Sequence, residues 1–191
     1  MKRRNLGIIG AIALFAISGC RGQTTSFQAD AFLEKDKCIV SIEANKTLCY
    51  GDSRAAVEAV VGGDGDNGKP IAGYDSGVRV AYRGDAAVGF LLGEGSEGVY
   101  RTARGARVGM SKDEVMNLYG RQYAYEATPY NLDYAYDTKA GQFVDKTKAN
   151  SNEIQLERER IFLISALFDG NKGGAASQID LIDQKMAIFF E

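Results

Sequence analysis

The sequence predicts an α+β protein with two similar helix-plus-antiparallel-sheet units in tandem, preceded by a disulfide-bearing hairpin. Three observations predict it. A twelve-residue stretch, Gly51 to Gly62, aligns without a gap to Gly109–Gly120 at an offset of 58 residues. Strand-like runs separated by turn residues follow each copy. Two cysteines, Cys38 and Cys49, stand in short apolar runs on either side of a turn near Asn45-Lys46.

Each copy of the repeat reads as a short amphipathic helix. Ser53 and Ser111 occupy N-cap positions, and Ser111 with Glu114 forms a capping box. Val57, Val60 and Val61 fall at i, i+3 and i+4, as do Val115, Leu118 and Tyr119, so each helix has one apolar face. Gly62 and Gly120 end them. Helices of about nine residues are not stable alone, so both must pack on a sheet.

Read in order, the chain begins with a basic n-region, Lys2-Arg3-Arg4, and an uncharged run from Leu6 to Ile17 that is too short to span a bilayer. Ser18 and Gly19 then supply small residues before a cysteine. Ile17-Ser18-Gly19-Cys20 resembles the lipobox of bacterial lipoproteins. The resemblance implies that residues 1–19 are a cleaved signal peptide and that Cys20 carries lipid. The alternatives are an uncleaved anchor helix and a plain secreted protein. Acyl chains contribute about 0.8 kcal/mol per buried CH₂, so two or three anchor a protein without a transmembrane helix. Arg21 stands where an Asp resembles an inner-membrane retention signal, which favours the outer membrane, facing the periplasm. Residues 20–35 read as a lipidated tether, polar in Gly22 to Ser26.

With Cys20 lipidated, Cys38 and Cys49 are an even pair in an oxidising compartment. A disulfide across Cys38-Ile39-Val40-Ser41-Ile42 and Thr47-Leu48-Cys49-Tyr50 stabilises by about 3 kcal/mol on the chain-entropy model. A redox-active pair is the sharper reading, but no Cys-x-x-Cys spacing supports it. The first unit, within 36–104, continues with Val78–Tyr82, a turn at Arg83-Gly84-Asp85, Ala87–Leu92 and a third segment, Val99–Thr102. The second, 105–191, has strand-like Tyr123–Glu126 and Asn131–Asp137 and a polar excursion over 141–152. Ile161–Phe168 is apolar on both alternations, as in a strand covered on both faces. Ile179–Asp183 alternates poorly and reads as an exposed edge, with a strand-like tail to Phe190.

A short helix introduced by Gly-x-Ser and closed by Gly, followed by an antiparallel sheet, resembles the BamE (SmpA/OmlA) outer-membrane lipoproteins. The tandem is similar to their β-lactamase-inhibitory-protein-like relatives, in which two such units sit side by side. The resemblance implies a lipid-anchored module that binds protein. In BamE-type units two helices usually precede the sheet; here the region before Gly51 reads as a cysteine-bearing hairpin.

The chain contains no histidine, which excludes Ser-His-Asp and Cys-His nucleophilic catalysis and His-ligated zinc. Without residues 1–19 it carries 20 basic and 25 acidic side chains, a net charge of −5 that gives no reason to expect nucleic acid. Asp64-Gly65-Asp66-Asn67-Gly68 has carboxylates for Ca²⁺ but not the spacing of an EF-hand, so no metal is expected. Glu157 and Glu159 alternate with arginines before a buried strand, as a solvated end does. Arg83-Gly84-Asp85 matches an adhesion tripeptide where a hairpin needs a turn. Six of the ten tyrosines lie between Tyr119 and Tyr136. Of these, Tyr123, Tyr125, Tyr130, Tyr134 and Tyr136 form a candidate binding face, with cross-strand packing as the alternative.

Together these readings describe a non-enzymatic envelope lipoprotein with no catalytic residue and no cofactor. Its expected partners are the bilayer, through Cys20, and another envelope protein. Two alternatives are an inhibitor-like module on an exported hydrolase and a carboxylate-dependent enzyme or carbohydrate-binding protein.

Overall fold

The computed structural model describes residues 26–63, 65, 69–148 and 160–187. Cys20, Glu157, Glu159 and most of the Asp64–Gly68 loop lie outside them. The described residues form a mixed α+β fold with two antiparallel sheets. The small sheet has the order β2-β1-β6, from β1 (Cys38–Ser41), β2 (Lys46–Cys49) and β6 (Tyr100–Thr102). The large sheet has the order β3-β4-β5-β10-β9-β7-β8. Its strands are β3 (Ile71–Gly73), β4 (Val78–Arg83), β5 (Ala86–Leu92), β7 (Asn131–Asp137), β8 (Gln142–Phe143), β9 (Ile161–Asp169) and β10 (Ala175–Asp183). Helices α1 (Arg54–Val61) and α2 (Lys112–Tyr119) lie on one face, and the one-turn α3 (Gln184–Ala187) follows β10.

The expected hairpin forms. Cys38 and Cys49 are opposed in register and joined by a disulfide. Both helices are capped by serine: Ser53 Oγ accepts from the Ala56 N–H, and Ser111 Oγ from the Glu114 N–H while Glu114 reaches back. Val57, Val115 and Tyr119 are fully covered and join Ile39 and Leu48 of the small sheet in one core with the large sheet's inner face. That face presents Val80, Phe90, Leu181, Ile164 and Leu132 from successive strands.

The same local bonds occur at both helices. The Gly51 N–H donates to the Ala87 carbonyl and the Ala87 N–H to the Asp52 carbonyl; Gly109, Ala176 and Met110 repeat this exchange. Arg54 lies 3.8 Å over the Tyr82 ring, and Lys112 lies 5.4 Å over Phe168. Arg54 also donates to the Lys69 carbonyl, as Lys112 does to that of Pro129. A one-residue irregularity follows Ala87 in β5 and Ala176 in β10.

Several sequence expectations need correction. The expected side-by-side units share one continuous seven-stranded sheet, because β5 pairs with β10 (Leu92 opposite Ile179, Phe90 opposite Leu181). Ile179–Asp183 is therefore part of a central strand. Its alternation is poor because Ile182 points away from the helices, as Gln178 and Asp180 do, yet is apolar and covered by Met186. Leu163, Ser165 and Leu167 of β9 point the same way, and Leu167 is 41% exposed, so β9 is not covered on both faces. The segment around Val99–Thr102 extends the small sheet, with Thr102 opposite Ile39. Tyr123–Glu126 contributes one bridge, Tyr125 to Asp133. The beginning of the strand-like tail is helical: Asp183 Oδ1 accepts from the Met186 N–H and caps α3.

The tether region also differs. From Phe27 onward the chain is docked on the domain: the Asp30 N–H donates to the Tyr119 carbonyl, and Phe32 stacks on Tyr136 with ring centroids 3.6 Å apart. Gly120, at φ 102°, stops α2 and also gives Asp30 its seat, since a Cβ there would collide with the Asp30 carboxylate and backbone.

Candidate binding face

The large sheet's face opposite α1 and α2 is divided. At one end, Met186 of α3 closes a small apolar cluster with Ala81, Val88, Leu91 and Ile182. Beside it runs a row of side chains in cross-strand register: Arg79 on β4, Leu91 on β5, Asp180 on β10, Ser165 on β9 and Asp133 on β7. Period-two alternation puts these positions together, because their neighbours Val80, Phe90, Leu181, Ile164 and Leu132 all point into the core.

The row is hydrogen-bonded. Arg79 donates to Gln178 Oε1 at 3.0 Å, and Gln178 Nε2 donates to Asp180 Oδ2 at 2.7 Å. Ser165 and Asn131 each donate to Asp133. Among the described residues, Asp180 Oδ1 is buried without a hydrogen-bond donor. Burial pushes the Asp180 carboxyl up to about 7 against the opposing effect of Gln178 and Arg79, with nearby Asp133 adding to the rise. Burial also raises Asp133, partly offset by its donors Ser165 and Asn131.

Stability follows with a definite sign. In the unfolded chain Asp180 titrates near 4, so between about pH 4 and pH 7 the folded state holds the proton that the unfolded state has lost. Stability falls as pH rises through that window, and the full penalty is present above it. Asp180→Asn removes the ionisation while keeping an acceptor for Gln178. It is expected to stabilise the protein at pH 8 by on the order of 2 kcal/mol and to flatten the pH 4–7 slope. Thermal melts across pH would test this; an unchanged slope in the variant would remove Asp180 as its source.

The tyrosines divide between core and surface. Tyr134 is covered and donates to the Gly120 carbonyl at 2.7 Å, and Tyr136 is buried under Phe32. Burial holds both phenols above their ordinary range. Neither belongs to a binding face, because both alternate inward along β7. Tyr123 is half-buried against Phe143, and Tyr125 is half-buried at its bridge to Asp133. Tyr130 is the exposed member, at 58%. Its ring lies against Gly170, where a Cβ would come within 3.0 Å. With Glu94, Asp169, Asn171 and Ser177 it lines an open groove of about 610 Å³.

Tyr130 precedes Asn131, which is paired with Leu167, so the groove adjoins the exposed Leu167 and the polar row. Arg83 of the turn tripeptide is bonded to Asp183 at 2.8 Å, which holds that side chain against the domain. Sequence reading missed Leu167, Asp133, Ser165 and Asp180. The available signal was the polar residues Asn131 and Asp133 of β7 and Gln178 and Asp180 of β10, each alternating with the inward residues Leu132, Tyr134, Ile179 and Leu181. The face offers an apolar contact beside fixed donors and acceptors, a combination suited to recognition. No protein-family model, curated protein or solved structure matches this chain.

Proposed function

We propose that this chain is a lipid-anchored cell-envelope protein, held at Cys20 on the periplasmic side of the outer membrane, that binds another envelope protein without catalysing a reaction. The observation that carries the binding part is the exposed pair Leu167 and Tyr130 beside the ordered polar row on the sheet's outer face. Leu167 and the polar row sit on ordered β-sheet positions, which present such side chains at little entropic cost on association. The lipobox-like Ile17–Cys20 supports the anchor, and the absence of histidine supports binding over common catalysis. The repeated bonds around α1 and α2 support reading the domain as two copies of one BamE-like unit, the arrangement of the β-lactamase-inhibitory-protein-like relatives that the tandem resembles.

A photo-crosslinking side chain at Leu167, in intact envelopes, is expected to yield adducts of discrete mass. The same group at Ala59, exposed on α1, serves as the comparison. Indistinguishable adduct patterns from the two sites would count against this face. The inhibitor-like alternative predicts a one-to-one complex lost on Tyr130→Ala or Leu167→Ala. Tyr134 and Tyr136 are unsuitable for that test because removing either side chain opens the core.

A further inference from the structure

We infer that the end of the domain formed by residues 27–35 and Gly120–Gln122 faces the bilayer, and that the β3 edge of the large sheet is turned away from it. This deepens the proposed function and rests on the lipid anchor at Cys20. Two structural facts carry it.

The first is how soon after Cys20 the chain is held. The Phe27 ring lies against the Arg104 guanidinium, and that guanidinium donates to the Gln28 and Ala31 carbonyls. Asp30 Oδ1 accepts from the Gln122 N–H at 2.9 Å. Phe27 is the seventh residue after Cys20 along the chain. Seven residues span at most about 25 Å at full extension.

The second is where the docking point lies in the sheet. Phe32 packs on Tyr136 of β7 and Phe143 of β8, at one side of the seven-stranded order. The opposite edge, β3, is five strand spacings from β7, or about 24 Å. Residues 27–35 and Gln122 can meet the lipid headgroups at any length of the intervening chain. The β3 edge can do so only with that chain drawn to nearly its full length.

Charge does not set this orientation. Arg121 pairs with Asp113 at 2.8 Å and Lys37 with Glu34 at 3.0 Å, so the docking end presents balanced charge. The arrangement is therefore expected to be the same on zwitterionic and anionic membranes.

The full lipidated protein is reconstituted in phosphatidylcholine vesicles containing nitroxide-labelled lipid, with a thiol-reactive fluorophore at Gln122→Cys or at Gly73→Cys. Lys35→Cys and Ala55→Cys form a second near–far pair, so a poorly folding variant does not decide the result. The expected result is quenching several-fold stronger at Gln122 and Lys35 than at Gly73 and Ala55, unchanged when phosphatidylglycerol is added. Inserting twenty Gly/Ser residues after Arg21 is expected to collapse the difference. Equal quenching at both ends, or stronger quenching at Gly73, overturns the orientation while leaving the anchor intact. Protein that does not float with the vesicles, or that floats equally well as Cys20→Ser, overturns the anchor instead.

Discussion

Arg104→Ala is expected to destabilise the fold by about 3–5 kcal/mol, the range for removing one partner of a buried ion pair. Arg104 is buried and all of its nitrogens are engaged. Nε and Nη2 donate to the two oxygens of Asp36 at 2.6 and 2.7 Å, and Nη1 donates to the Gln28 and Leu118 carbonyls at 2.7 and 3.0 Å. Nη2 also reaches the Ala31 carbonyl. The variant leaves the fully covered Asp36 carboxylate without its cation and frees three backbone carbonyls from a shared donor. Arg104→Lys is expected to recover little, since a single ammonium cannot match the planar fork. The double variant Arg104→Met/Asp36→Leu is expected to lose less than Arg104→Ala, because it removes both charges together. Urea unfolding would measure all three. A loss below about 1 kcal/mol for Arg104→Ala would mean that the N-terminal segment contributes little to the fold.

Tyr134→Ala is expected to cost about 3–5 kcal/mol, whereas Tyr130→Ala is expected to change stability by only about 0.5 kcal/mol. The two residues lie four apart at opposite extremes of exposure. Tyr134 packs 5.4 Å from Tyr119 and 6.1 Å from Phe143, and its hydroxyl satisfies the carbonyl that ends α2. Tyr130 stands over Gly170 with its ring largely in solvent. Paired denaturation and binding measurements separate the roles: one variant loses stability, the other loses partner. Comparable destabilisation by both would mean that Tyr130 is part of the core.

The tyrosine cluster shows where sequence reading succeeds and where it stops. Local signals were legible because their physics is local: serine caps, terminal glycines, the i, i+3, i+4 stripe and the cysteine hairpin all act within a few residues. The α+β class followed from them. What was not legible depends on partners distant along the chain. Tyr134 and Tyr130 differ in exposure because Tyr134 points inward on β7 while Tyr130 precedes the strand, a distinction composition does not carry. β10 looks like an edge because Gln178 and Asp180 interrupt its apolar run, yet those residues use its second face. Arg104 carries no local mark at all. Its importance comes from Asp36, 68 residues away, and from a polar stretch that reads as tether.

The placement of β10 governs the order in which this molecule can be completed. Among the described residues β10 is the last strand in chain order, yet it lies fourth of seven in the large sheet, between β5 and β9. Until Ala175–Asp183 is available, the other strands form at most two separate stacks, β3-β4-β5 and β9-β7-β8, each with an unpaired inner edge. β5, whose side chains from Ala87 to Leu92 are all buried in the finished fold, then exposes a long apolar border. Such a border is a hazard for edge-to-edge aggregation. Closing the sheet joins residues nearly ninety positions apart, so the step is slow by the logic of loop closure. A chain in which Ala175–Asp183 is not yet made or has been removed is therefore a sticky one, and closing the large sheet waits on that segment.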